Sequence, residues 1–214
     1  LDRCNKVFDK KKIVVATDSL KIFNFVKNKN YQSVLTSVKC LTGTDRVSEV
    51  SNKINAKIYV NVQGDEPLIN PKDIKKIISV KKKFKNYIIW GATKISKNEN
   101  PKSLSIPKVV FNKNLDMIYM SRSIIPGIKV KKSSKKLQYW KQVCIYAFTK
   151  QDLKIFGKNK KKSYLEKIED IEILRFLEKE KKIKMVKTKK GTIAVDYPRD
   201  IKMVENLIKK NEKR

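Results

Sequence analysis

The chain has 214 residues and a formal net charge of +31, from 52 lysines and arginines against 21 aspartates and glutamates, with no histidine. That length suits one domain with a sizeable core, and no apolar run approaches the roughly 20 residues that cross a bilayer. Cys4, Cys40 and Cys144 are odd in number and far apart, so reduced thiols in a cytosolic protein are expected, and a zinc site is not. Leu1 to Lys6 lack the apolar segment of a signal peptide. Only six of the cations are arginines. The lysines are spread along the chain, and runs such as 81–83 and 160–162 fall at expected helix ends and loops, where charge is solvated. Proteins that read or stack on bases interleave arginine and aromatic residues with their charge, so a nucleic-acid partner is not expected.

In chain order, residues 1–10 read as the end of a helix, 13–18 as a short buried strand, and 20–28 as a helix with Ser19 as its cap. A strand near 33–36 is followed by a loop, Thr42-Gly43-Thr44-Asp45-Arg46, and a helix near 47–54. Residues 58–62 are β-branched and aromatic, as in a buried strand of an α/β sheet. Pro71 opens a helix over 72–83 with an apolar stripe of Ile74, Ile77, Ile78 and Val80. Strands are expected at 87–90, 108–111, 117–120 and 143–148, with a lysine-rich loop at 127–136. Ser163 to Glu166 fits a capping box, and Leu165, Ile168, Ile171, Leu174 and Leu177 then recur every three residues, which predicts a helix packed on the sheet. Strands at 183–186 and 193–195 precede a closing helix from Pro198 to about Lys209. Strands alternating with helices give one three-layer α/β domain over residues 1–214, its mixed sheet mostly parallel with helices on both faces.

The stretch 58–69, Ile-Tyr-Val-Asn-Val-Gln-Gly-Asp-Glu-Pro-Leu-Ile, organises the rest. Gly64 permits a sharp turn and Pro67 delays the next helix, so Asp65 is held just past the carboxyl end of a core strand. Ligands of open α/β sheets bind there, and a carboxylate in that place suits a hard cation such as Mg²⁺. On spacing alone, Gly-Asp after a strand is equally a turn that bonds its own backbone. The Thr42–Arg46 segment offers hydroxyls and an arginine to a nucleotide, or is a polar surface turn. Arg122, at the end of a strand, presents paired donors for carboxylate or phosphate, or forms a surface salt bridge. Asp196, between a short apolar run and Pro198, is a second candidate carboxylate or a plain helix cap.

Val-Asn-Val-Gln-Gly-Asp-Glu-Pro-Leu-Ile resembles the signature of the 3-deoxy-manno-octulosonate (Kdo) cytidylyltransferases, the CMP-Kdo synthetases. Residues 14–18, 42–46, 120–126, 145–148, 165–175 and 194–198 resemble that family in the same order, so the similarity covers nearly all of 10–205. The resemblance implies a Rossmann-like fold of the nucleotide-diphospho-sugar transferase type, usually dimeric and cytoplasmic. It implies transfer of a cytidylyl group from CTP to Kdo for lipopolysaccharide synthesis. By the same resemblance Asp65 and Asp196 hold Mg²⁺ and Gln63 touches the sugar. Thr44, Asp45 and Arg46 lie at the nucleotide, and Arg122, Tyr146 and Glu172 line the sugar side with Gln142.

The family's first strand and its Gly-, Arg- and Lys-rich phosphate loop precede the helix in which this sequence begins, so a truncated chain is expected. Gln142 stands where the family usually has histidine, Ile173 where it has glutamine, and Tyr197 and Arg199 where it has threonine and glutamate. These departures leave room for another acidic 2-keto sugar as acceptor, or for a homologue without catalysis.

Overall fold

Strand β7 (Trp140–Phe148) is the axis of the main sheet in the computed structural model, which describes residues 1–129, 137–189, 194–195 and 197–212. Along one edge it pairs with β4 (Ile88–Lys94), antiparallel, from Trp140 to Ala147. Its other edge is shared. β3 (Tyr59–Val62) takes residues 145–148, and β5 (Lys108–Phe111) joins at Lys141, both antiparallel. Beyond the ladders, Gln63 N–H donates to the Cys144 carbonyl (3.1 Å) and Gln142 N–H donates to the Pro107 carbonyl (3.2 Å). The chain of β3 therefore leaves β7 just where that of β5 arrives, and the fork between them opens a cleft. β6 (Met117–Ser121) extends the sheet beyond β5, and β8 (Ile183–Lys187) lies parallel beside β4.

The side-chain period of two then sorts β7 into two faces. Val143, Ile145 and Ala147 pack with Ile74 and Ile77 of α4 (Pro71–Lys83), which Pro71 starts as expected and Asn70 caps, a cap that had not been foreseen. Tyr146 and Phe148 face the opposite layer. There α5 (Lys150–Gly157) supplies Leu153 and Phe156, and α7 (Leu174–Leu177) supplies Leu174 and Phe176. Gly91 in β4 is required by this packing, because a Cβ there would lie 2.7 Å from Ile145 Cγ2. A second, two-stranded parallel sheet joins β1 (Val14–Thr17) to β2 (Gln32–Leu35), with α2 (Leu20–Asn28) between them in sequence. The remaining helices are α1 (Asp2–Asn5), α3 (Gly43–Lys53), α6 (Tyr164–Glu169) and α8 (Pro198–Glu212). Among the described residues no helix is long and apolar enough to cross a membrane.

The α/β class and the mixed sheet stand, with less parallel pairing than the helix–strand alternation suggests. Only β1–β2 and β4–β8 are parallel among the described ladders, because β5, β6 and β7 follow one another with no helix between them among the described residues. The single helix expected after Ser163 is two. Asp170 ends α6 in the left-handed region (φ 50°), and Ile168 is 63% exposed rather than on the sheet. The reason is local: Glu169 is drawn to Ser121 Oγ (2.6 Å) and to the Arg122 N–H (2.8 Å), which turns the chain there. Not all lysines are solvated either. Lys81 is 1% exposed and donates to Asp152 Oδ2 (3.0 Å) and to the carbonyls of Lys85 and Tyr87. Lys108 is 0% exposed and donates to the Ser103 and Arg122 carbonyls. Each ammonium has three donors, and main-chain carbonyls accept from most of them. The lysine-rich loop falls largely at 130–136, and the strand expected at 193–195 falls in part at 193, outside the described residues.

Candidate active site

The fork in the sheet holds a cleft of about 650 Å³, within the roughly 300–1,000 Å³ usual for small-molecule sites. Asp65 and Glu66 enter it from the turn after β3. That turn is knitted down on both sides: Glu66 Oε1 accepts from Cys144 N–H (3.2 Å), and the Asp65 carbonyl accepts from Val195 N–H (2.8 Å). Residues from widely separated parts of the chain thus meet. Gln63, Asp65, Gln142, Tyr146 and Glu172 line the cleft together with Ala194, Tyr197 and Asp200. Asp196 lies outside the described residues, between two stretches that line this cleft.

Glu172 is the joint between the two walls. Its Oε1 accepts from Gln63 Nε2 (3.0 Å) and its Oε2 from Thr44 N–H (3.0 Å), in the first turn of α3. Burial pushes its carboxyl above the ordinary range, and the Thr44 hydrogen bond opposes that rise. The approach depends on Gly43, since a Cβ there would lie 2.8 Å from Gln63 Nε2. Tyr146 forms the floor. It is 1% exposed and stacks on Trp90 with ring centroids 3.4 Å apart.

Residues 42–46 are the capped start of α3 rather than a loop, with Thr42 Oγ1 accepting from Asp45 N–H. Arg46 turns away from the cleft to Asp18 (2.7 Å) and Thr36 Oγ1 (2.9 Å). Asp45 is bound by Arg175, whose Nη1 lies 2.7 Å from Asp45 Oδ1 while its Nε and Nη2 grip both oxygens of Glu166 at 2.6 Å. Arg122 does line the cleft, but its guanidinium donates to the carbonyls of Glu169, Leu104 and Asp170. It fastens the wall as well as facing the space. Sequence reasoning assigned no role to Arg175, Lys141 or Glu99, and it read Glu166 only as the acidic member of a capping box, which it is; the repeated acidic positions at 166, 169 and 172 were the available signal for its second task of holding Arg175.

The cleft is acidic in a basic protein. Among the described residues Asp65, Glu66, Glu99, Glu166, Asp170, Glu172 and Asp200 line it, against Arg122, Lys141 and Lys162. The field is felt locally: burial first, then the charges of Glu66 and Asp65, hold the Cys144 thiol well above its ordinary value. Burial, then Cys144 and Glu172, raise the Tyr146 phenol likewise. Among the described residues no three Asp, Glu, Cys or His side chains form a cluster that would hold a metal ion alone.

The site is a carboxylate turn at the end of a core strand of a mixed α/β sheet, opening on an acidic cleft, and the chain carrying it has the fold of the nucleotidyltransferases. The fold matches 4-diphosphocytidyl-2C-methyl-D-erythritol synthase from Anaerococcus prevotii at TM-score 0.61 and 17% identity, over 97% of this chain and 83% of that one. A CMP:2-keto-3-deoxy-manno-octonic acid synthetase complexed with CTP matches at TM-score 0.87 and 30% identity, over 98% of this chain and 86% of that one. The cytidylyltransferase family model matches residues 1–183. Curated 3-deoxy-manno-octulosonate cytidylyltransferases from Parabacteroides distasonis and Fusobacterium nucleatum are 39% and 36% identical, covering 88% and 93% of this chain and 78% and 80% of their own lengths. The chain belongs to the cytidylyltransferase family, among the 3-deoxy-manno-octulosonate cytidylyltransferases.

Proposed function

We propose that this chain transfers the cytidylyl group of CTP to the anomeric hydroxyl of Kdo, releasing pyrophosphate, as a cytoplasmic homodimer serving lipopolysaccharide synthesis. One observation carries the reading: the turn after β3 presents Asp65 to an acidic cleft, in a chain 39% identical to a named Kdo cytidylyltransferase. An acidic cleft repels a triphosphate and an acid sugar unless a cation accompanies them. The carboxylates that line the cleft are hard oxygen donors, which suits Mg²⁺ and disfavours softer metals. Asp65 and Asp196 are the residues that would hold Mg²⁺. When bound, the metal would neutralise phosphate charge and acidify the attacking hydroxyl.

The protein's own work is positioning. Glu172 fixes the Gln63 amide so that its second N–H and its Oε1 are left to orient sugar hydroxyls. Tyr146, held flat on Trp90, gives the sugar a rigid floor, and Gln142 offers an amide beside it. Thr44 and Asp45 shape the nucleotide wall through the start of α3, and Arg46 ties that start to Asp18. Arg122 adds positive charge at the sugar wall. Alignment of the hydroxyl with the α-phosphorus, rather than covalent catalysis, supplies the rate.

The test is pyrophosphate release with CTP, Mg²⁺ and Kdo, beside a panel of other 2-keto acid sugars. Release with Kdo supports the proposal, and no release with any of them removes it. A second reading, another acidic 2-keto sugar as acceptor, is favoured by Ile173, which is wholly buried and apolar next to Glu172. Release with a different member of the panel in preference to Kdo would select it.

A further inference from the structure

Among the described residues three cations line the cleft, and they are held in different ways. Arg122 serves three main-chain carbonyls at once, so drawing it towards a ligand would leave all three without their donor. Lys162 pairs with Asp170, whose side chain is 66% exposed, at the outer rim. Lys141, on β7 beside Gln142, pairs with Glu99 on the segment that follows β4. Both of these side chains are mostly buried, and both line the cleft. Glu99 has a second anchor, since its Oε2 accepts from Ser96 N–H (2.9 Å). It therefore stays seated and hydrogen-bonded when the lysine moves. The segment carrying it is fastened independently, by Lys108 to the Ser103 carbonyl and by Arg122 to the Leu104 carbonyl, both 2.9 Å.

We propose that Lys141 is a substrate-binding residue of this cleft, with Glu99 as a placeholder that it leaves for an oxyanion of the substrate. The inference rests on the cleft holding the anionic substrates proposed above. A lysine ammonium on a flexible stem re-aims at little cost. A buried carboxylate beside it keeps the cation in position in the free enzyme and competes with the incoming anion. The oxyanion is either the carboxylate of the acid sugar or a phosphate of the nucleotide, and two arms of one experiment separate them.

Steady-state kinetics and calorimetric titration with Mg²⁺-CTP and with Kdo are measured for the native protein, Lys141→Met and Glu99→Gln. Losing a charge-assisted contact weakens binding by about tenfold or more, so Lys141→Met raises KM for one substrate by that factor. Glu99→Gln removes the competitor and lowers KM for the same substrate several-fold. Movement of the Kdo value assigns the contact to the sugar carboxylate, and movement of the CTP value assigns it to phosphate. A purely structural tie would make Glu99→Gln bind more weakly, and that result, or no change in either variant, overturns the inference while the functional reading stands. A native protein that binds neither substrate overturns both. If Lys141→Met does not fold, the sign of the Glu99→Gln change decides alone.

Discussion

Replacing Arg175 with methionine tests whether the cleft wall is built on a buried ion cluster. The guanidinium has a side-chain exposure of 1% and makes two 2.6 Å contacts to Glu166, one of 2.7 Å to Asp45, and lies 3.8 Å from the centre of the Phe156 ring. Methionine fills much of the volume but leaves two carboxylates without their cation. Removing one partner of a buried pair costs about 3–5 kcal/mol, against roughly 0.5–2 kcal/mol for the ring contact, so the uncompensated charge dominates. At about 2–4 °C per kcal/mol for a chain of this size, Tm falls by roughly 6–20 °C in a circular-dichroism melt. Arg175→Met with Glu166→Gln loses less than the sum of the two single changes, because the second removes a charge that the first has stranded. The functional consequence runs through α3: Asp45 releases its first turn, Thr44 N–H moves from Glu172, and KM rises in the protein that remains folded. A loss below about 1 kcal/mol, the scale of an exposed pair, would refute the reasoning.

Asp152→Asn strands the Lys81 ammonium among two carbonyls and costs about 3–5 kcal/mol in urea unfolding; a neutral result would mean that water reaches the pair. Burial, partly offset by Asp152, pulls the Lys81 ammonium below its ordinary 10.5. The unfolded chain then binds more protons than the folded one in the interval beneath 10.5, so this residue's contribution to stability rises with pH there. The stability of the native protein relative to Lys81→Met should grow between pH 8 and 10, and a shrinking difference contradicts the burial. Gly43→Ala places a methyl group 2.8 Å from Gln63 Nε2; KM for the sugar should rise while Tm changes little, and unchanged kinetics would show that Gln63 does not depend on its hold on Glu172. Asp65→Asn should lower turnover by more than the roughly 10–100-fold typical of outer-shell changes at metal sites without lowering Tm, and near-native pyrophosphate release would dismiss the role given to Asp65.

What could be read beforehand was local. Asp65 and Pro67 sit in one turn, so their geometry follows from neighbouring residues, and the turn stands where the sequence put it, at the end of β3, although Gly64 takes no backbone angle reserved to glycine there. Pro71 starts α4 for the same reason. What escaped was pairing at long range. Residues 81–83 look like any solvated helix end, and nothing nearby reveals that Lys81 meets Asp152, 71 positions on. Arg46 looked available to a nucleotide because its partner, Asp18, lies 28 positions earlier. The stripe from Leu165 to Leu177 had a helical period, yet Glu169 is recruited by β6 and the helix ends at Asp170. Periodicity reports which face is apolar and is silent about a side chain captured from another strand.

The stacked pair beneath the cleft also makes the protein its own optical reporter. Trp90 is one of two tryptophans and is wholly shielded from solvent, with its indole against the ring of Tyr146. The other, Trp140, has Lys94 and Lys187 over its ring. With Trp140 changed to phenylalanine, the emission of Trp90 alone would follow whatever settles on that tyrosine, giving a label-free fluorescence titration of each substrate in turn.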